Sequence, residues 1–384
     1  MKQIITEMLT LEGTHYDIGR EIGALLDGPV GICSEDEAIS KEQVNRAMAL
    51  YDRFCPGIGD ELRGYADAKG VALGQLYFTF MSHLKPNCSE MALMPEITES
   101  GHLILARNYE FAPHLEDFRI YRVAAEGKYA HIGGSVVDFG RSEGINECGF
   151  AVSMTSCGMP VSNMDQMRQP AIEGLQFWAI IRTLLDRCKT TDEALELLDE
   201  MPIGYNINLL MADADGSAVL FESLDGKKVH QKIGKEAGQG MNNRYLHATN
   251  HPVFSPFCEQ EPMTMKNSAV RYELIESAFR DVETVATESV KQLLLTPYPN
   301  GLNCGYYEAF FGTIKSVILD VESRSYEICW GGNEKNQWQE YSLKEAPSKK
   351  SVKLEIAYEQ MTAEADFFKM VPIETEFRYN KSRL

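Results

Sequence analysis

Residues 86–111 read PNCSEMALMPEITESGHLILARNYEF, and the chain changes character at Cys88. Upstream, three segments carry apolar residues at helical spacing. EQVNRAMALYDRF (42–54) sets Val44, Met48, Leu50 and Tyr51 roughly a turn apart, IGDELRGYADAKG (58–70) ends in a glycine C-cap signal, and ALGQLYFTFMSHL (72–84) is apolar on most faces. Downstream, short runs punctuated by Gly, Asn and Asp read as strands: ALMPEI, HLILARNYEF, FRIYRVAAEG, AHIGGSVVDF and GFAVSMTS. Residues 1–87 are therefore expected to be mainly helical apart from a strand near the start, and 88–343 to form a sheet-rich domain.

Helical patterns interrupt the strands at 172–200 and at SAVRYELIESAFRD (268–281). Strands resume in NINLLMADADGSAVLFES (206–223) and close with GTIKSVILDVESRSYEICWGG (312–332), which turns around Glu322 to Arg324. Helices interleaved this irregularly predict an α+β fold of antiparallel sheets covered by helices, not a parallel βαβ array. From about Lys344 the chain is highly charged, with Pro347 and Lys349-Lys350. Residues 344–384 read as an appendage whose Phe367, Phe368 and Met370 dock on the body or on another subunit.

With 384 residues, 44% of them hydrophobic and 24% charged, the composition is that of a folded globular protein. A formal net charge of -19 would repel a phosphate backbone, so nucleic acid is excluded as a partner. Glu7 and Glu12 fall where a signal peptide needs an apolar core, and no apolar run is long enough to span a bilayer, so the expected location is the cytoplasm with no membrane partner. Nine cysteines, an odd number with no Cys-x-x-Cys pair, indicate reduced thiols. Cys148 and Cys329, in apolar strand contexts, read as small hydrophobes.

A thiol becomes a nucleophile when a base or a positive charge favours its thiolate. The ESG turn signal at 99–101 would fold the chain into a hairpin and return Arg107 towards Cys88. Glu110 could then hold that arginine or a substrate amine, unless Arg107 and Glu110 are a surface pair at a strand end. GINECGF (144–150) and ATNHPVF (248–254) set Asn146 and Asn250 at turns, where the amides serve either an oxyanion or the turn itself. His247 and His251 have i,i+4 spacing, but Asn250 and Pro252 disfavour a helix and no third ligand is near, so no metal site is expected. No phosphate or dinucleotide loop is present, and no cofactor is predicted. Phe177, Trp178, Tyr306 and Tyr307 are candidates for an acyl pocket or for the core.

Together, Cys88 leading a strand, RNYEF (107–111), GINECGF, ATNHPVF, SAVRYELI (268–275) and the closing GTIKSVILDVESRSYEICWGG resemble the cysteine N-terminal nucleophile hydrolases. The branch they resemble is the isopenicillin N acyltransferase-like (acyl-CoA:6-aminopenicillanate acyltransferase) family, related to choloylglycine or bile-salt hydrolases and penicillin V acylases. GTHYDIGREIGALL (13–26) and CPGIGDELRGYADAKGVALGQLYF (55–78) are similar to the helical segment that precedes the nucleophile in that branch, so the resemblance spans roughly residues 10 to 343.

The resemblance implies an αββα four-layer sandwich and a precursor that cuts itself between Asn87 and Cys88, leaving 1–87 as a propeptide or separate chain and 88–343 as the catalytic domain. Cys88 would then be the nucleophile and its freed α-amine, with a reference pKa of about 7.7 to 8.0, the base. By the same resemblance Arg107 is the arginine beside the nucleophile, and Glu110 stands where relatives usually carry Asp. Asn146 and Asn250 match the oxyanion and amine-orienting positions, and Arg271 matches a later arginine of the bile-salt hydrolase branch. Asn87 stands where acyltransferase relatives often have Gly. The implied substrate is a small-molecule linear amide or acyl thioester, and a homo-oligomer is compatible. Two other readings are an uncut thiol hydrolase pairing Cys88 with His251, and a non-catalytic binding module of the same fold.

Overall fold

The computed structural model describes residues 2–25, 32–76, 87–113, 116–136, 138–159, 161, 168–234, 243–344, 351–358 and 360–373. The N-terminal part contributes β1 (Lys2–Gly13), α1 (His15–Leu25), α2 (Lys41–Phe54) and α3 (Ile58–Lys69). Strands β2 (Asn87–Leu93), β3 (Ile104–Phe111), β4 (Arg119–Ala125), β5 (His131–Val136), β6 (Gly140–Asn146) and β7 (Ala151–Ser156) follow. After α4 (Phe177–Arg187) and α5 (Thr191–Glu200) come β8 (Ile207–Ala212), β9 (Ser217–Leu224), β10 (Lys227–Gly234) and β11 (Tyr245–Ala248). Next are α6 (Ser255–Gln260), β12 (Met263–Met265), α7 (Lys266–Phe279) and α8 (Thr287–Leu295). The chain closes with β13 (Gly305–Tyr306), β14 (Phe311–Asp320), β15 (Ser325–Trp330), β16 (Gln339–Ser342), β17 (Ser351–Tyr358) and β18 (Met370–Pro372).

The strands build a nine-stranded sheet, β10-β9-β8-β7-β6-β5-β4-β1-β17, and a second sheet, β11-β2-β3-β14-β15-β16 with β13 on β14. Neighbours are antiparallel except β1 and β4. Because side chains alternate along a strand, each sheet buries two faces. In β8, Leu210 and Ala212 enter the core between the sheets while Leu209 and Met211 meet the helices outside. In β14, Val317 and Leu319 point between the sheets and Ile318 points towards the core under α7 and α8. The result is the helix–sheet–sheet–helix sandwich of an α+β protein.

Gly70, at φ 67°, ends α3 as the sequence signal predicts. The helix expected over 72–84 begins only as a short turn at Leu73–Gln75, and residues 77–86 lie outside the described residues. α1 and α3 approach so closely that a Cβ on Gly19 would fall 1.9 Å from the Glu61 carbonyl oxygen, and one on Gly64 2.1 Å from that of Tyr16. Only glycine permits this contact.

Both ends of the chain join the sandwich. β1 lies between β4 and β17, and the C-terminal stretch adds β17 to the large sheet and pairs β18 with β12. Phe367 is fully buried among Tyr298, Cys304, Tyr306 and Phe311. The nine cysteines are unpaired, and no helix among the described residues is long and apolar enough to cross a membrane.

Candidate active site around Cys88

β2 and β3 form the antiparallel pair implied by the turn at 99–101, with Cys88 opposite Tyr109 and Glu90 opposite Arg107. Alternation puts Cys88, Glu90, Arg107 and Tyr109 on the face between the sheets, and Ser89, Asn108 and Glu110 on the face towards α7 and α8. Arg107 is therefore a diagonal neighbour of Cys88, within reach of a long side chain. Its Nη2 donates to Cys88 Sγ at 2.8 Å.

The other guanidinium nitrogen, Nη1, donates to Glu143 Oε2 at 3.0 Å and to the Ser142 carbonyl. Glu143 also receives Lys315 Nζ at 3.1 Å, the Tyr326 hydroxyl at 2.8 Å and the Ser142 hydroxyl at 2.7 Å. Burial alone would raise its pKa, but Lys315 and Arg107 outweigh burial and hold the carboxyl down to about 2. This fixed anion orients Arg107. A Cβ at Gly134 would lie 2.0 Å from Lys315 Nζ and 2.1 Å from Glu143 Oε1, so the network needs glycine there.

Burial pushes the Cys88 thiol up to about 12, against the pull of Arg107. The sulfur is thus held as a thiol at neutral pH. Glu90 accepts from the Ser153 hydroxyl at 2.6 Å, and burial pushes its carboxyl up to about 8 despite Arg107.

On the opposite face Glu110 Oε1 accepts from the Thr313 hydroxyl at 3.1 Å, and Oε2 lies 3.5 Å from Arg271 Nη1. Burial raises Glu110 to about 7, opposed chiefly by Arg271. Arg271, from α7, donates through Nη1 to the Cys88 carbonyl at 2.9 Å. Through Nη2 it donates to Asn250 Oδ1 at 2.7 Å and Asn267 Oδ1 at 2.9 Å. Since a guanidinium only donates, the Asn250 amide must turn its oxygen to Arg271; its Nδ2 donates to the Ser156 hydroxyl at 3.0 Å.

Cys88, Arg107, Glu110, Asn250 and Arg271 thus meet around one residue, with Asn87 beside them. Asn146 does not join them. Ile145 points between the sheets, so Asn146 faces the helices, where its Nδ2 donates to the carbonyls of Leu185 (3.0 Å) and Cys188 (2.7 Å). Its Oδ1 accepts from the Cys148 and Phe150 amides at 3.0 and 3.1 Å. This asparagine ties the β6–β7 turn to the end of α4, the structural alternative weighed for it above, and the oxyanion assignment is corrected accordingly.

His251 also turns elsewhere: its Nδ1 lies 2.8 Å from the Ser268 hydroxyl, and burial, then Arg271, lowers it to about 3. His247, on β11, packs its ring 4.1 Å from that of Tyr272. The two histidines belong to a strand and the turn after it, and both rings pack against Tyr272. Phe177 and Trp178 belong to the core under the helices, Tyr306 packs on Phe367, and the Tyr307 hydroxyl donates to the Thr313 carbonyl at 2.7 Å. These four aromatics are core.

A cavity of about 190 Å³ instead opens beside Asn87, Ser156 and Asn250, with Tyr205, Met265 and Met370 farther along its wall. The sequence reading passed over Glu143, Lys315, Ser156, Thr313 and Asn267. A signal existed for one of them: Lys315 is the only charged residue in the run FGTIKSVIL of β14.

Comparison with known proteins adds the following. The sequence profile described as acyl-coenzyme A:6-aminopenicillanic acid acyl-transferase matches residues 97–335. No curated protein matches the chain. Among solved structures, penicillin V acylase from Agrobacterium tumefaciens is similar at 20% identity and a TM-score of 0.39, over 63% of this chain and 83% of that one. A variant of conjugated bile acid hydrolase from Clostridium perfringens is similar at 12% identity and a TM-score of 0.48, over 72% of this chain and 100% of that one. Penicillin G acylase from Alcaligenes faecalis aligns at 10% identity and a TM-score of 0.38, over 53% of this chain and 51% of that one.

Proposed function

Since the chain belongs to the acyl-coenzyme A:6-aminopenicillanic acid acyl-transferase family, we propose that it is a self-processing cysteine acylase that moves an acyl group from a small linear amide or thioester to water or an amine. The observation that carries this reading is the hold on Cys88 from two sides, Arg107 on its sulfur and Arg271 on its carbonyl. The matched residues begin after Cys88, so the nucleophile itself rests on this geometry.

In the proposed cycle, Cys88 first attacks the Asn87 carbonyl; the peptide C–N bond breaks, the acyl group passes to sulfur, and the nitrogen takes the thiol proton to become the Cys88 α-amine, after which water cleaves the thioester to a carboxyl on Asn87 and the free thiol. The amine then takes the thiol proton, which a buried thiol pushed up to about 12 does not release unaided. Arg107 stabilises the thiolate as it forms. The thiolate attacks the substrate carbonyl, and the oxyanion accepts from Asn250 Nδ2, whose second N–H is not needed by Ser156, and from a backbone amide. The C–N bond breaks as the leaving amine takes the proton from the α-ammonium, leaving an acyl thioester. Water or a second amine then gives a proton to the α-amine and attacks. The C–S bond breaks, and the product departs. Glu110, paired with Asn87 in the ladder and sharing Arg271 with the Cys88 carbonyl, is in this reading the carboxylate that holds the charged α-amine.

Intact-mass spectrometry under denaturing separation, on the wild-type chain and on Cys88→Ala, tests this. The expected result is two fragments meeting between Asn87 and Cys88 in the wild type and one full-length species in the variant. A single full-length species in both would remove the free-amine mechanism.

A further inference from the structure

The cavity beside Asn87 is walled by a segment outside the family match. Residues 360–373 reach the site because Phe367 packs its ring 5.0 Å from Tyr298, 4.6 Å from Tyr306 and 5.0 Å from Phe311. β18 then pairs with β12, Met370 opposite Met265 and Pro372 opposite Met263. Asn267 ties this strap to the catalytic cluster: its Nδ2 donates to the Phe367 carbonyl at 3.0 Å while its Oδ1 accepts from Arg271 at 2.9 Å. The matched family region ends at residue 335, so Phe368 and Met370 are contributions of this chain beyond it.

We propose that this strap is the specificity element of the site: with β12 it closes an uncharged, methionine-lined cavity for the acyl part of the substrate, a neutral apolar group of a short alkyl chain or one ring. The inference rests on the acylase reading above. Three observations support it. Once the proposed cut parts Asn87 from Cys88, the cavity adjoins the nucleophile through Asn250, which is hydrogen-bonded to Ser156 on the same wall, and Tyr205 on that wall senses Cys88, which adds to the effect of burial in raising its phenol. Among the described residues no charged side chain lines it, so a carboxylate or ammonium carried into it would be stripped of water without a partner there. Its volume of about 190 Å³ is near that of an engineered apolar cavity of about 150 Å³ that holds a benzene molecule.

The acyl side is favoured over the amine side by the order of events. The amine must leave and be replaced by water or another amine, which needs the open side, whereas the acyl group stays on the sulfur through both steps. Methionine at Met263, Met265 and Met370 gives a wall that adapts to chain shape. Met370 and Phe368 remain 37% and 44% exposed, so the strap's part of the cavity wall lies at the protein surface.

The test is kcat/KM for p-nitroanilides of acetic, butyric, hexanoic, decanoic and glutaric acids with the wild-type, Met370→Trp and Phe368→Ala proteins. Saturation-transfer NMR with hexanamide on the wild type and Met370→Trp provides a binding readout that needs no turnover. The expected profile peaks at butyryl or hexanoyl, with glutaryl roughly 10-fold or more below butyryl. Met370→Trp should lower hexanoyl about 10-fold while leaving acetyl nearly unchanged, and Phe368→Ala should move the peak to longer chains. Anilides turned over with a profile that neither variant moves would overturn the role of the strap and leave the acylase reading intact. Hexanamide bound by the wild type and lost in Met370→Trp, with no anilide hydrolysed, would uphold the cavity and sink the acylase reading. Failure of hexanamide to bind the wild type would refute the cavity assignment.

Discussion

Arg182→Met removes a fully buried cation that joins the N-terminal segment to the rest of the sandwich. From α4, Arg182 donates to both Glu61 carboxylate oxygens on α3 at 2.9 Å, and through Nε to Asp186 at 3.0 and 3.2 Å. All three side chains are buried. Without Arg182, Glu61 keeps the His15 ring at 3.2 Å and Asp186 the His131 ring at 3.2 Å; burial holds His131 down to about 4, so it carries no charge at neutral pH, and the cation still felt by both carboxylates is Arg141. Removing one partner of a buried ion pair costs about 3–5 kcal/mol, and here two carboxylates lose the same partner, so we take about 4 kcal/mol or more. An unfolding entropy of about 2.1 cal/mol/K per residue gives about 0.8 kcal/mol/K for 384 residues, so Tm should fall by about 5 °C.

The pH dependence has a defined sign. Burial would raise both carboxylates, but Arg182 outweighs it and holds each below its ordinary value. Their contribution is complete above the unfolded carboxylate pKa of about 4 and is lost as pH falls through the lower folded values. Calorimetric melts of wild type and variant should therefore differ most at neutral pH and converge in strong acid. In processed protein, gel filtration of the variant should also show release of the N-terminal fragment. A shift of under about 1 °C at neutral pH would refute the reasoning, because it would mean that the two carboxylates find new partners freely.

Three further outcomes are expected. Glu110 sits near 7, so activity should rise as pH passes that value and Glu110 ionises; Glu110→Gln should lower kcat/KM and remove that limb of the profile. Asn146→Ala should cost about 1–3 kcal/mol in thermal or denaturant melts with kcat/KM unchanged, while Asn250→Ala should lower kcat about 100-fold or more in steady-state assays. Glu90, raised by burial to about 8 from an unfolded value of about 4.3, keeps an extra proton in the native state between those values. Stability should therefore fall as pH rises through that window, and Glu90→Gln should flatten the slope measured by denaturant unfolding.

The hairpin from Cys88 to Phe111 was legible because its information is local. Period-2 alternation and a turn signal place Cys88 and Arg107 on one face before any partner is known. The same rule applied to β6 would have placed Asn146 on the face opposite Ile145, but which face meets helices depends on α4, whose carbonyls Asn146 binds from 39 and 42 residues away. Composition likewise spoke to folding and to nucleic acid, and the strand-rich pattern to an α+β class.

By itself, then, the sequence determined the break at Cys88, the element types on either side of it and the arginine that meets its thiol. The tertiary structure alone decided that Asn250 and not Asn146 meets Arg271 beside Cys88, that Glu143 and Lys315 orient Arg107, and that Phe368 and Met370 wall a cavity beside Asn87. The reason lies in the separations involved. Arg271 reaches Cys88 across 183 residues and Thr313 reaches Glu110 across 203, and contacts at that range depend on how two sheets and their helices pack, which no local period encodes.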